Sequence, residues 1–102
     1  MHYARNVNFS VKPGKVDEFN RLMTTEILPL MKGQKGFCQD LTVLRSNTGM
    51  SLSVWDDRAS AETYNTKTYP EVLQKLNPVL EGTPRVDTYD TVITTTPKLV
   101  HA

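Results

Sequence analysis

The side chains of this sequence that could take part in chemistry are few, and most are aromatic, amide or guanidinium groups. There is one tryptophan, Trp55, and four tyrosines, among them Tyr64, Tyr69 and Tyr89. The flat ring of Trp55 can stack on an aromatic molecule while its N–H donates to a carbonyl. It can equally serve as a core or interface residue whose N–H finds a partner within the protein. A phenol such as Tyr64 can hydrogen-bond a substrate oxygen, yet with an ordinary pKa of about 10 it is a poor base at neutral pH. Arg5 is a fixed cation near the start of the chain. It either reaches solvent at the end of an element or sits in a pocket, where it would hold an oxyanion. Tyr69 and Tyr89 are further candidates to line such a pocket.

Other chemistries lack their residues. The sequence has no Ser-His-Asp set, no glycine-rich phosphate loop and no Cys-x-x-Cys. The two histidines, His2 and His101, lie near the two ends, so no metal or cofactor site is expected. Asp56-Asp57 reads as a helix cap rather than a ligand pair. Cys38 is the only cysteine, which rules out an internal disulfide and suggests a small buried hydrophobe. Twelve basic and eleven acidic residues give a net charge of +1 and are scattered, so the basic stripe that nucleic acid needs is missing. No apolar run approaches the ~20 residues that span a bilayer, and no signal segment is evident, so a cytoplasmic setting is expected.

These groups must be positioned by one domain, for 102 residues leave room for no more. Residues 3–11 alternate with a period of two and read as a strand, ended by Pro13-Gly14. Residues 16–31 switch to a helical period through Val16, Phe19, Met23, Ile27 and Leu30. Pro29 is expected to kink this helix or end it early. Residues 37–45 and 50–55 read as strands of a hairpin around Ser46-Asn47-Thr48-Gly49, with Phe37, Leu41 and Val43 on one face. A short helix over residues 59–65 follows, capped by Asp56 or Asp57. A second helical stretch starts at Pro70 and ends near Gly82, with Pro78 expected to cut the helix itself short. Residues 86–95 make a fourth strand rich in β-branched side chains. The order β-α-β-β-α-β predicts an α+β, ferredoxin-like fold: a four-stranded antiparallel sheet with its helices on one face. The domain's core spans about residues 3–95, with a short tail over 96–102.

The sheet's second face reads as mixed. It is expected to carry Ala4, Cys38, Leu44, Trp55, Tyr89 and Ile93 among Asn6, Asn8, Thr42, Ser51 and Ser53. A face of that kind packs on something, and a homodimer joined sheet to sheet is expected.

The run Ser53-Val54-Trp55-Asp56-Asp57-Arg58-Ala59-Ser60-Ala61-Glu62-Thr63-Tyr64 resembles the antibiotic biosynthesis monooxygenase family of dimeric α/β barrels. That family shows a strand ending in tryptophan, a polar turn and a helix containing alanine. The Gly36-Phe37 pair and the Val11-Lys12-Pro13-Gly14 exit from the first strand are similar too. The resemblance covers roughly residues 3–95. It implies a homodimer whose two sheets form a barrel, with a pocket in each subunit between sheet and helices. Members of the family include cofactor-free oxygenases of aromatic polyketides, quinol oxygenases and haem-degrading enzymes. Trp55 matches the family's pocket tryptophan. Tyr64 stands where many relatives carry histidine, so haem ligation through that residue is not implied. Asn6 and Asn8 are the asparagines nearest to one that the haem-degrading branch keeps on its first strand; aligning on Pro13-Gly14 puts Val7 there.

The expected function is a cofactor-independent monooxygenase for a small aromatic, polyketide-like or quinol substrate. The alternative is a non-catalytic homodimer of the same fold that binds a small molecule. Trp55, Tyr64, Asn6 and Asn8 are the expected catalytic residues, and Arg5, Tyr69 and Tyr89 the expected substrate contacts.

Overall fold

The computed structural model describes residues 2–96 of the chain. Four strands, β1 (Tyr3–Ser10), β2 (Phe37–Arg45), β3 (Thr48–Trp55) and β4 (Arg85–Tyr89), form one antiparallel sheet in the order β2-β3-β1-β4. Helices α1 (Val16–Leu22), α2 (Leu28–Lys32), α3 (Arg58–Lys67) and α4 (Tyr69–Leu76) cover one face of it. This is the predicted ferredoxin-like arrangement. Its core joins Phe9 and Trp55 of the sheet to Phe19, Ile27, Tyr64, Val72 and Leu76 of the helices. The expected tail residues 97–102, with His101, lie outside the described residues.

Pro29 does not end the first helix. Residues Met23–Ile27 widen into a π-helical turn, in which the Leu28 N–H bonds to the Met23 carbonyl five residues back. The chain then resumes as α2 with Pro29 in its first turn. The proline lacks an N–H and its ring crowds the carbonyl four residues earlier; the wider turn accommodates both defects without breaking the helix. Asp57 caps α3, accepting a hydrogen bond from the Ser60 N–H at 2.8 Å. That helix is longer than predicted.

The hairpin turn is tighter than predicted. Pairing runs to Arg45↔Thr48, leaving only Ser46 and Asn47 in the loop, with Ser46 at a φ of 53°. The Asn47 amide donates to the Val11 and Lys12 carbonyls, which ties the turn to the exit of β1. β4 is shorter than predicted, stopping at Tyr89, which pairs with Ala4. Because β4 pairs only with β1, whose own strand begins at Tyr3, little partner remains for the residues beyond.

One irregularity corrects the expected faces. Cys38 is a bulge in β2, so Phe37 pairs with Trp55 while Gln39 pairs with the next residue, Val54. The extra residue flips everything after it. Phe37 therefore packs toward the helices, and Leu41 and Val43 point away. On β3 the expected faces are also exchanged. Thr42, Leu44, Ser51, Ser53 and Trp55 belong to the helix side, whereas Ala4, Asn6, Asn8 and Tyr89 face outward.

Candidate functional site

Between the helix side of the sheet and the helices lies a cavity with about 40 Å³ open to water. That is room for a few waters, short of what a ring-sized ligand fills. β1 contributes Arg5 and Val7, and β3 contributes Ser51 and Ser53. The helices supply Met23, Met31, Tyr64, Tyr69 and Leu73. The walls are mostly apolar, and the polar groups come from the period-two positions of the two central strands.

Arg5 dominates the electrostatics. It is only 2 % exposed, and its Nη2 donates to Asn65 Oδ1 at 2.8 Å. The guanidinium lies 4.5 Å from the centroid of the Tyr69 ring and 5.1 Å from that of Tyr64. Cation–π contacts of this kind are strongest when the cation is desolvated. Among the described residues no carboxylate pairs with it. Burial lowers its pKa, and Tyr64, Tyr69 and Tyr3 oppose that shift. An arginine remains a cation nonetheless.

The two tyrosines are donors rather than bases. Burial pushes the Tyr64 phenol well above its ordinary value, and Arg5 only partly offsets this. Burial raises Tyr69 as well, again against Arg5. The Tyr69 hydroxyl oxygen is buried beside the Arg5 guanidinium, which favours its anion, but it makes no well-aligned hydrogen bond to any described residue. A buried polar group without a partner is uncommon and marks a place where a ligand or water can bind.

Trp55 is fully buried and does not line the cavity. Its N–H donates to Ser53 Oγ at 3.0 Å, its ring meets Phe37 edge-on at 5.4 Å, and Tyr64 lies 4.8 Å away. It braces Tyr64 from behind. In this arrangement its ring has no free face for a substrate.

The structure thus brings together Arg5, Tyr64 and Tyr69 and leaves the other expected residues elsewhere. Asn6 and Asn8 face outward, on the side of the sheet away from the cavity. Asn6 Oδ1 is buried there without a partner among the described residues. Tyr89 is half exposed on the same outward side.

A polar cluster that the sequence reading missed adjoins the cavity. Ser51 Oγ donates to Asp40 Oδ1 at 2.6 Å, and the Thr42 hydroxyl lies 2.6 Å from Asp40 Oδ2 and 3.0 Å from Ser51 Oγ. Its signal was the alternation Asp40-x-Thr42 beside Ser51-x-Ser53, legible only once the bulge sets the register. Among the described residues, no helix is long and apolar enough to cross a membrane.

No family model matches the chain, and no curated protein matches its sequence. Solved structures do match its fold. A Nitrosomonas europaea protein of unknown function superposes with a TM-score of 0.80 at 16 % identity, covering 94 % of each chain. SnoaB, a cofactor-independent oxygenase from Streptomyces nogalater, has a TM-score of 0.75 at 16 % identity, over 94 % of this chain and 97 % of its own. A proposed antibiotic biosynthesis monooxygenase from Caulobacter crescentus gives 0.75 at 14 % identity, over 90 % and 91 %. The chain therefore has the α+β, ferredoxin-like fold of the antibiotic biosynthesis monooxygenases. At these identities the likeness establishes the fold and leaves chemistry to the site.

Proposed function

We propose that this protein is a cofactor-independent monooxygenase whose substrate is a small aromatic, polyketide-like or quinol molecule bound as its enolate or phenolate. The observation that carries this reading is Arg5: a buried cation with no carboxylate partner among the described residues, aimed into an apolar cavity beside the unpartnered Tyr69 hydroxyl. A desolvated cation without a counterion is costly, and an anionic ligand removes that cost. The shared fold with SnoaB supports the same reading.

For a substrate with an anthrone-type CH2 flanked by aromatic rings, the steps balance. The carbon loses a proton, and the resulting enolate oxygen faces Arg5 and the Tyr69 hydroxyl. The anion passes an electron to O2, and the two radicals recombine at carbon. One oxygen atom becomes the new carbonyl, and the other leaves as water with the two hydrogens of the original CH2. No external reductant is consumed. Asp40, reached through Ser51, is the carboxylate that accepts the first proton. The flexible side chains of Met23 and Met31 in the wall allow the cavity to widen for a ring.

Oxygen uptake by chelator-treated protein over a panel of anthrones and hydroquinones tests this. Arg5→Gln should lower kcat/KM by about 10- to 100-fold, the loss of a charged hydrogen bond. Tyr69→Phe should cost several-fold. Uptake no faster than the uncatalysed background would sink the oxygenase. Saturable quenching of Trp55 by the same compounds without uptake would instead favour a non-catalytic small-molecule binder.

A further inference from the structure

The end of the sheet away from the hairpin turn holds a second group of reactive side chains, none of which lines the cavity. There Tyr3 of β1 pairs with Trp55 of β3, and Trp55 pairs with Phe37 of β2. One residue beyond this level stand His2 and Asp56, and the bulge in β2 turns Cys38 toward them. Three neighbouring strands thus each bring one side chain to the same corner.

The imidazole, thiol and carboxylate place one ligand atom each within 4.8 Å of one another. The Cys38 Sγ already lies 3.1 Å from Asp56 Oδ1. His2 is 8 % exposed, and the packing that buries it holds a ring nitrogen within reach of both the Cys38 thiol and the Asp56 carboxylate. Zinc bond lengths of 2.0–2.3 Å to oxygen, nitrogen and sulfur put tetrahedral donors about 3.3–3.7 Å apart. Reaching that spacing takes shifts of about an ångström. Asp56 is exposed and free to make them.

We propose that His2, Cys38 and Asp56 form a binding site for a single zinc ion, with its fourth position open to water. A thiolate, an imidazole and a carboxylate make the mixed donor set that zinc accepts and that calcium and magnesium do not favour. On binding, the thiol proton goes to solvent, and a zinc–sulfur bond replaces the S–H···O contact with Asp56. The sequence conceals this site because its ligands are separated by 36 and 18 residues in the chain, with none of the close spacings of familiar zinc motifs.

The test uses the untagged full chain, stripped with chelator and titrated at neutral pH with zinc chloride by calorimetry and with cobalt chloride by absorbance. One ion should bind per chain, with a near-ultraviolet thiolate-to-cobalt band and the visible bands of tetrahedral cobalt. Cys38→Ser should abolish the charge-transfer band. His2→Ala and Asp56→Asn should each weaken binding about tenfold or more. Asp56→Asn lies at an exposed position, which keeps one variant independent of any packing change at the bulge. Absence of binding, or stoichiometric binding that survives both His2→Ala and Asp56→Asn, would overturn the site.

Discussion

A buried cation destabilises a fold unless something compensates it, and the compensation around Arg5 is partial. Two aromatic faces and one amide oxygen contact it, and Asn65 is itself exposed. Replacing Arg5 by methionine removes the desolvation cost while keeping most of the volume. Arg5→Met should therefore leave the unfolding free energy within about 1 kcal/mol of wild type, or raise it, while abolishing binding of anionic aromatic ligands. Urea melts beside ligand titrations check both halves; a loss of several kcal/mol would make Arg5 a structural residue. Cys38 offers a second residue-scale test. Burial, and then the Asp56 carboxylate, push its thiol up to about 12. The neutral thiol is thus favoured at pH 7, and alkylation of metal-free protein by iodoacetamide should be slow until the pH is strongly alkaline. Removing the negative charge lowers the pKa, so Asp56→Asn should speed alkylation at neutral pH. An unchanged rate would mean that access, not charge, protects the thiol. At this scale the sequence was partly legible. Arg5, Tyr64 and Tyr69 meet as candidates because side-chain chemistry reads directly from residue type. Whether a tryptophan presents a face or is walled in depends on neighbours such as Phe37 that no local pattern reveals.

Element boundaries followed from period, caps and breakers, which is why the β-α-β-β-α-β order was legible, as was the outward side of β1 and β4, while the faces of β2 and β3 were not. A strand's alternation fixes which residues share a side but not which side meets the helices, and one extra residue reverses the answer. Cys38 is that residue in β2. The π turn ahead of Pro29 escaped for a related reason. A proline predicts a defect in the hydrogen-bond ladder, but tertiary packing of Met23 and Ile27 decides whether the helix stops or widens. The turn into β2 is stricter. Gly36 has a φ of +80°, a Cβ there would run into the Ser60 side chain, and its carbonyl accepts the Asp56 N–H at 2.7 Å. Gly36→Ala should cost about 1–3 kcal/mol from backbone strain, with more from the clash, read as a lower denaturation midpoint at unchanged slope. The α3 cap has a pH signature. The Ser60 N–H, with help from its side chain, holds the Asp57 pKa below the usual carboxylate value. A depressed folded pKa gives stability that is present above the unfolded value near 4 and lost as pH falls through the folded one. Asp57→Ala should accordingly lower the melting temperature at neutral pH and make little difference in strong acid. An equal loss at both ends of the pH range would assign the effect to something other than the charged cap.

At the scale of the molecule the unresolved demand is the sheet's outer face. Leu41, Val43 and Met50 are 55 %, 44 % and 42 % exposed there, and the pairs Leu41↔Leu52 and Val43↔Met50 make them contiguous across β2 and β3. A patch of neighbouring apolar side chains on a sheet face exposes a β-rich surface that favours association. The helices already cover the opposite side, so a second copy of the chain meeting this face would complete the burial. We therefore expect a homodimer joined through the outer sheet faces, with each cavity on the far side of its sheet from the interface. Wild-type protein at micromolar concentration should sediment at twice the 11.5 kDa chain mass. Val43→Lys puts a charge on each copy in the centre of the patch and should return the mass to that of one chain. Because Val43 points away from the core, the variant should keep its circular dichroism and its ligand affinity at Arg5. A monomeric wild type would leave the apolar face without a partner and remove the barrel from this reading. A dimer that survives Val43→Lys would place the interface on another surface. If dimer and binding fail together in a variant that stays folded, the outer face and the cavity are coupled through β3, the strand whose alternate residues serve both.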